Sequence, residues 1–390
     1  MGKKWISELD YLRGIAFLAV VAQQCIGMYV HNSHTTLNQQ VGLGVAFNLV
    51  RFAVPVFIFI SGIAMIYTYF PSTHYRPYIK KRGVDIMLPY FLWTVIYINY
   101  YSLISTGYPS SNIKDYLFKL ITGTGGYHLW FMMLIVQFYL VFPLFLGLFR
   151  WLVRQTRLVW YITGFTIFYI AFIWVPYTYI PAHAAEISPH WLNLTLVKFK
   201  DRNFVYWIYY FLLGGVAALY IDSWRAWIKK VWKWAWLVWV PVLVWVSIAN
   251  WNPAGTKGIV LGISSLLKPS MAIFTIANII LLYYAALKLA DSQSWLARLL
   301  NAYGKYSVGA YFVHVLMIYL AQKVLRLFWP SYGEYPVIIV FVIFVFCAIT
   351  SLAFSIAMSR MPGGSYLVGK VKANTPNPIL AESLESSVSS

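Results

Sequence analysis

The chain of 390 residues has few charged residues, few acidic residues and almost no cysteine. Charged residues make up 11% of it, against roughly 25% in soluble globular domains, which excludes a soluble enzyme. Both cysteines, Cys25 and Cys347, lie in apolar runs, which excludes a disulfide framework and a cysteine-based metal site. Eleven acidic residues face 30 lysines and arginines, a net charge of +19 that has to be tested first as a topology signal.

Hydrophobic residues, in contrast, make up 61% of the chain, and the 18 tryptophans and 31 tyrosines are residues that favour membrane–water interfaces. At roughly 20 residues per membrane-spanning helix, this length accommodates about ten spans. The sequence therefore predicts an all-α polytopic membrane protein. The ten predicted spans are Tyr11–Val30, Phe47–Tyr69, Val84–Leu103, Tyr127–Phe149, Leu158–Val175, Phe204–Ile221, Trp234–Ile248, Met271–Leu289, Tyr306–Leu325 and Pro336–Met358.

Charge counting supports an orientation with both termini in the cytoplasm. The segments predicted inside hold 20 lysines and arginines and those predicted outside hold 9, with Arg51 inside the second span. The longest outer loop runs from about Pro176 to Asn203. Because topology accounts for the basic charge, no nucleic-acid partner is predicted. We predict a transmembrane domain over residues 1–372 and a disordered, serine-rich cytoplasmic tail over residues 373–390.

The first span carries polar residues that are costly to expose to lipid. Arg13 and Gln24 are eleven residues apart. At about 100° per residue they lie only about 20° apart around a helix, and about 16 Å apart along it. Arg13, at the cytoplasmic end of the span, and Gln24, deeper in the membrane, are thus predicted to lie on the same face of the helix. The simpler alternative is a snorkelling arginine and an interhelical glutamine hydrogen bond.

Five short motifs follow one another along the chain: Asp10-x-x-Arg13-Gly14-Ile15-Ala16, Val54-Pro55-Val56-Phe57-Ile58-Phe59-Ile60-Ser61-Gly62, Lys80-Lys81-Arg82 followed by Leu88-Pro89-Tyr90, Tyr127-His128-Leu129-Trp130-Phe131, and Tyr306-Ser307-Val308-Gly309-Ala310-Tyr311-Phe312-Val313-His314. In this order and placement they resemble the acyltransferase-3 family of integral membrane O-acyltransferases. The length of the chain resembles the branch that acylates cell-envelope polysaccharides, to which the membrane protein of the intercellular-adhesion polysaccharide system is related.

The resemblance implies transfer of an acetyl or similar short acyl group from cytoplasmic acyl-CoA to a hydroxyl of a cell-envelope glycan or exopolysaccharide. It also implies a place in the bacterial cytoplasmic membrane, a glycan or lipid-linked sugar as acceptor, membrane lipid around the protein, and a homodimer as a possible assembly. Acyl-CoA is then a substrate, and neither a permanently bound cofactor nor a metal is expected. The cations Lys80, Lys81 and Arg82 are expected to hold the coenzyme A phosphates, although ordinary positive-inside charge explains them equally well.

The remaining site residues are assigned in the same way. His128 is expected to orient the acceptor sugar or to act as a base, and Trp130 to stack on a sugar ring. His314 is expected to line the interior, since a buried histidine needs a partner. Asp10 and Ser61 belong to the first two motifs and are assigned to substrate binding, and Arg13 to the donor end of the path. The alternative for His128 and Trp130 is an interfacial aromatic belt with a hydrogen-bonded histidine.

The chain departs from the family pattern at two positions. The family has a histidine where this chain has Gln24, and often an arginine where it has Asp85. Glutamine hydrogen-bonds a hydroxyl but does not accept its proton, so Gln24 is a poor general base. Either another histidine has taken over, or the chain is an inactive, engineered form, or it is a polysaccharide exporter, a flippase or a dead scaffold. If position 24 lies in the reaction chamber and the base is missing, Gln24→His should raise acyl transfer by roughly 10²–10⁴-fold.

Overall fold

A computed structural model describes residues 5–251, 258–329 and 331–371. Within these ranges the protein consists of helices, connecting turns and one isolated bridge between Trp251 and Ile259, with no β-strand. The all-α prediction is confirmed. The tail predicted over residues 373–390 lies outside the described residues.

The first eight α-helices are α1 Glu8–Tyr29, α2 Leu37–Leu49, α3 Ala53–Tyr69, α4 Tyr75–Arg82, α5 Leu88–Thr106, α6 Ile113–Thr122, α7 Trp130–Leu152 and α8 Leu158–Phe172. The others are α9 Ile180–Ala182, α10 His190–Asn193, α11 Ile208–Leu219, α12 Ile221–Ala249, α13 Pro269–Ala290, α14 Trp295–Lys305, α15 Ser307–Phe328, α16 Pro336–Arg360 and α17 Ser365–Val368. Three short π-helical segments occur at Gly83–Met87, Val175–Tyr179 and Leu194–Lys198. The 3₁₀ turns are Lys200–Arg202, Phe204–Trp207, Leu261–Ser264 and Tyr332–Glu334.

Eight helical segments of the described chain are long and apolar enough to cross a membrane: Glu8–Tyr29, Leu37–Tyr69, Trp130–Leu152, Leu158–Ala182, Ile221–Ala249, Pro269–Ala290, Ser307–Phe328 and Pro336–Arg360. They confirm a polytopic membrane protein. The other two predicted spans are helices of weaker membrane character. Four tyrosines and Asn99 lower the mean hydropathy of α5, and the apolar helix Phe204–Leu219 is short.

The second predicted span lies within the candidate span Leu37–Tyr69, but turn residues 50–52 interrupt it between α2 and α3. Arg51 lies in this break. Its Nη1 donates to the carbonyl oxygen of Leu261 over 2.9 Å, and its guanidinium lies 4.9 Å from the ring centroid of Phe47. A cation in an apolar segment is costly unless it faces inward, and the break turns it towards these partners.

Two predicted loops also contain helix. The seventh span was predicted to begin at Trp234, but α12 already begins at Ile221 and includes the cations of the predicted loop. Its 29 residues span about 44 Å, longer than the roughly 30 Å of membrane hydrocarbon, so one end extends into the headgroup region. On the other side, the fifth span continues to Ala182, and short helical turns fill the predicted loop Pro176–Asn203.

Helix α1 is the central element of the core, since it packs against α2, α3, α13, α14, α15 and α16. Glycines allow the closest helix crossings. A Cβ on Gly62 would lie 2.2 Å from the carbonyl oxygen of Phe211, and a Cβ on Gly214 would lie 2.1 Å from that of Phe59. Helices α3 and α11 therefore touch backbone to backbone. Small residues at such crossings are typical of packing inside membranes.

The orientation itself stays a prediction, with a direct test. A single cysteine placed within residues 150–157 should resist a membrane-impermeant thiol reagent added outside intact cells, and one within residues 182–189 should react. Cys25 and Cys347 are both buried and give a low background. Labelling of the first cysteine without the second would show that the predicted orientation in the membrane is reversed.

Candidate functional site

The structure brings two histidines together in the middle of the helix bundle. His128 lies in the turn before α7, and His314 lies in the second turn of α15. Their ring centroids are 4.8 Å apart and their planes are inclined by 75°. Their exposed fractions are 2% and 0%. Two residues from distant motifs thus form one buried pair.

Backbone carbonyls hold this pair in place. His314 Nδ1 lies 2.5 Å from the carbonyl oxygen of Tyr311, and the Tyr311 hydroxyl donates to the carbonyl oxygen of His128. The Cys347 thiol donates to the carbonyl oxygen of His314 over 3.2 Å, and the Tyr97 hydroxyl donates to that of Phe312 over 2.8 Å. Helices α5, α15 and α16 and the turn before α7 therefore meet at the pair.

Three ring nitrogens of the pair are not used in hydrogen bonds. Among the described residues, both ring nitrogens of His128 and Nε2 of His314 have no hydrogen-bond partner. A buried polar group without a partner costs about 1–3 kcal/mol, and native proteins contain few of them. Several in one place therefore indicate a site that a ligand completes.

The pair joins the interior of two helices to the start of a third. The ring of Phe17 lies 6.3 Å from that of His314, and Phe17 is nine residues from the start of α1, or about 14 Å along its axis. His128 lies two residues before α7 begins at Trp130. The non-helical turn that carries His128 is buried in protein, as such backbone has to be where water is absent.

Gln24 lies on the same side of α1 as Phe17. Seven residues separate them, which is about 20° short of two full turns and about 10.5 Å along the axis. Further along, Gln322 of α15 donates to the hydroxyl of Tyr29 over 3.1 Å, so that α1 and α15 run parallel with Gln24 between the two contacts. Gln24 is partly buried, and its amide makes no hydrogen bond to any described residue.

Arg13 precedes Phe17 by four residues, about 6 Å along α1, in the direction away from Gln24. Its Nη1 forms a salt bridge of 2.7 Å with Oδ1 of Asp10. A second cation, Arg82 of the third motif, lies against α7, with its guanidinium 5.2 Å from the ring centroid of Tyr139. Both arginines belong to the segments predicted to lie at the cytoplasmic end of the bundle.

The three predicted cations of α4 do not point in one direction. Lys80 and Lys81 are exposed, but Arg82 turns inward, with its guanidinium 5.4, 6.0 and 5.2 Å from the ring centroids of Tyr69, Tyr78 and Tyr139. Consecutive residues of a helix point about 100° apart, so α4 cannot present all three in one direction. A cavity of about 380 Å³ opens nearby at the ends of α3, α7 and α11. It is lined by Ile66, Tyr67, Phe70, Val153, Ala218, Leu219 and Tyr220.

Two other predicted site residues make their contacts elsewhere. Ser61 donates to the carbonyl oxygen of Phe57 in its own helix over 2.8 Å. Trp130 follows His128 by two residues, but its ring packs 6.4 Å from that of Trp207. Three residues around the pair were not predicted as site residues, namely Tyr97, Tyr311 and Cys347. Of these only Tyr311 had a signal, since it precedes His314 by three residues and shares its helix face.

Fold and site together describe an integral membrane protein with a polar centre inside its helix bundle. A family model described as an acyltransferase domain matches residues 6–360, which is most of the chain. The chain belongs to this acyltransferase-3 family, and the resemblance found in the sequence is confirmed at that level. A search of curated proteins and a search of solved structures each found no match.

Proposed function

We propose that the protein transfers a short acyl group from cytoplasmic acyl-CoA to a hydroxyl of a cell-envelope glycan. The observation that carries the proposal is the buried pair of His128 and His314, with three unpartnered nitrogens inside the helix bundle. A pair with a purely structural role would use those nitrogens in hydrogen bonds. A transfer reaction that connects two sides of a membrane needs polar groups in the interior of the bundle.

The donor is proposed to bind at the end of the bundle that holds Arg13 and Arg82. Coenzyme A carries phosphates on a long, flexible arm that ends in the thioester. Exposed Lys80 and Lys81 suit the phosphates, because they remain hydrated and can contact a charged group at the surface. Arg13 lies between this surface and the histidine pair, on the route of the arm.

The acceptor is proposed to arrive from the opposite side. Tyr127 is 40% exposed, and its ring lies 5.9 Å from that of His128. The preceding turn passes over the pair: a Cβ on Gly126 would lie 3.2 Å from Tyr97 and 3.4 Å from His128. Gln24, on the face of α1 directed to this region, supplies an amide that can hold a sugar hydroxyl.

The donor site yields a binding prediction. The double variant Lys80→Gln/Lys81→Gln should weaken acyl-CoA binding, with the largest loss at low salt, because exposed charges are screened as salt rises. The control is Lys229→Gln/Lys230→Gln, which removes two exposed cations of α12 that are predicted on the same side. Titration calorimetry with acetyl-CoA in nanodiscs checks both. Equal affinities for the two variants would leave Lys80 and Lys81 as topology determinants alone.

The activity itself is tested with purified protein in liposomes, radiolabelled acetyl-CoA and purified cell-envelope polysaccharide. We expect label in an ester that is released by mild base. Movement of the polysaccharide across the liposome membrane without labelling would support the exporter interpretation. Binding of polysaccharide with neither labelling nor movement would support a scaffold.

A further inference from the structure

The contacts of the His314 imidazole give this side chain a specific role in the reaction. Resting on the proposed acyl transfer, we infer that Nε2 of His314 is the base that removes the proton of the acceptor hydroxyl. Gln24 then orients that hydroxyl without taking its proton. The reaction thus has a base although position 24 lacks one.

The tautomer of His314 is fixed by its partner. A carbonyl oxygen accepts hydrogen bonds and cannot donate one, so the 2.5 Å contact with Tyr311 requires the proton of the neutral ring to be on Nδ1. Nε2 therefore carries the free lone pair. A base oriented by a hydrogen bond at its other ring nitrogen is the arrangement that general-base catalysis requires.

No hydrogen bond as short as that of His314 orients the ring of His128. Neither of its ring nitrogens has a partner among the described residues, and only its backbone carbonyl is held, by the Tyr311 hydroxyl. Tyr311 is therefore a positioning residue: its carbonyl sets the tautomer of His314, and its hydroxyl holds the turn that carries His128. This difference selects His314 as the base.

Burial supports the same assignment. His314 has no exposed surface, and its neighbours are the rings of Phe17, His128 and Tyr311 at 6.3, 4.8 and 5.5 Å. Nε2 is unpartnered there, so the interaction that satisfies it has to come from a bound molecule. A hydroxyl is a suitable partner, because it donates to the lone pair that the fixed tautomer presents.

The step balances without any further reagent. The hydroxyl oxygen attacks the carbonyl carbon of the thioester while its proton passes to Nε2 of His314. The new carbon–oxygen bond forms, and the carbon–sulfur bond then breaks. The sulfur leaves as a thiolate and takes the proton from Nε2. The products are the glycan ester and the free thiol of coenzyme A, and His314 regains its starting state.

The test is the change His314→Gln, which keeps a hydrogen-bonding side chain but removes the base. We expect kcat for acetyl transfer to fall by roughly 10²–10⁴-fold, with acetyl-CoA affinity unchanged. The control is His190→Gln, the same change at an exposed histidine of α10, which should leave turnover unchanged. Thermal unfolding in detergent identifies any variant that fails to fold.

A second variant tests the inference even if the His314→Gln protein does not fold. Gln24→His places an imidazole on the face of α1 that meets His314, so it should restore turnover at least about tenfold in the His314→Gln background. In the wild-type background it should change turnover by less than about threefold, since the base is already present. A gain of 10²-fold or more in the wild-type background would overturn the inference and support the proposed acyl transfer. Absence of turnover in wild type and every variant would instead overturn the acyl transfer itself.

Discussion

Replacing Glu8 by alanine is expected to lower the free energy of unfolding by about 3 kcal/mol. The Glu8 carboxylate is 2% exposed and accepts two hydrogen bonds from Arg225, of 2.7 and 3.1 Å, and one of 2.9 Å from the Tyr283 hydroxyl. It thereby joins α1 to α12 and α13. Its loss leaves Nε and Nη2 of Arg225 and the buried Tyr283 hydroxyl without their acceptor, while Nη1 of Arg225 keeps Asp222. Arg225 is 31% exposed and can recover some hydration, so we expect the lower end of the usual range for a broken buried pair.

The same arginine provides the control. Asp222 also forms a salt bridge with Arg225, of 3.1 Å, but its side chain is 91% exposed. Asp222→Ala should therefore cost at most about 1 kcal/mol. Thermal unfolding of both purified variants in one detergent measures the difference. Equal losses would mean that burial of Glu8 contributes nothing to the strength of this contact.

The second large effect is expected at the crossing of α3 and α11. Gly62→Ala or Gly214→Ala would place a methyl group about 2 Å from a backbone oxygen of the partner helix. Backbone cannot move aside as a flexible side chain can, so the helices must separate. We expect each variant to lose about 3 kcal/mol of stability or to fail to accumulate in the membrane.

Glycines of other helices serve as the matched controls. A Cβ on Gly147 of α7 or on Gly164 of α8 would meet no atom within 4 Å. Alanine favours a helix over glycine by roughly 0.5–1 kcal/mol, so these variants should be as stable as wild type or more stable. Unfolding temperatures measured for the four variants should fall at Gly62 and Gly214 and stay equal or rise at Gly147 and Gly164. A loss of similar size at Gly164 would show that the effect does not come from the crossing.

The membrane architecture was largely predictable from the sequence, because a long apolar run indicates directly that the segment is surrounded by lipid. The errors lie where a helix does not match the width of the membrane. The sequence could not reveal that α12 begins at Ile221, since its cationic first turns resemble a loop. It also could not place the break at Arg51, which depends on an acceptor at Leu261, far along the chain.

The site was predictable in its residue types but not in its geometry. His128 and His314 were candidates singly, yet nothing in the sequence indicated that they meet. Helices that are apolar all round have no periodicity to show which face meets which neighbour. The ion pair of Glu8 and Arg225 was missed for the same reason, since 217 residues separate its members. Such contacts come from packing between helices, which local patterns do not encode.

The continuity of α1 has a consequence for donor choice. The helix runs unbroken from Glu8 to Tyr29 and carries Arg13 at one level and Gln24 about 16 Å farther on. In the proposed reaction, Lys80 and Lys81 of α4 hold the coenzyme A phosphates at the end of the bundle that carries Arg13. The length of the donor arm then fixes how far along α1 the thioester reaches. A donor with the same acyl group on a truncated arm should therefore hold its carbonyl short of the histidines. Such a molecule would occupy the protein without reacting, and selectivity would follow from length as well as from charge.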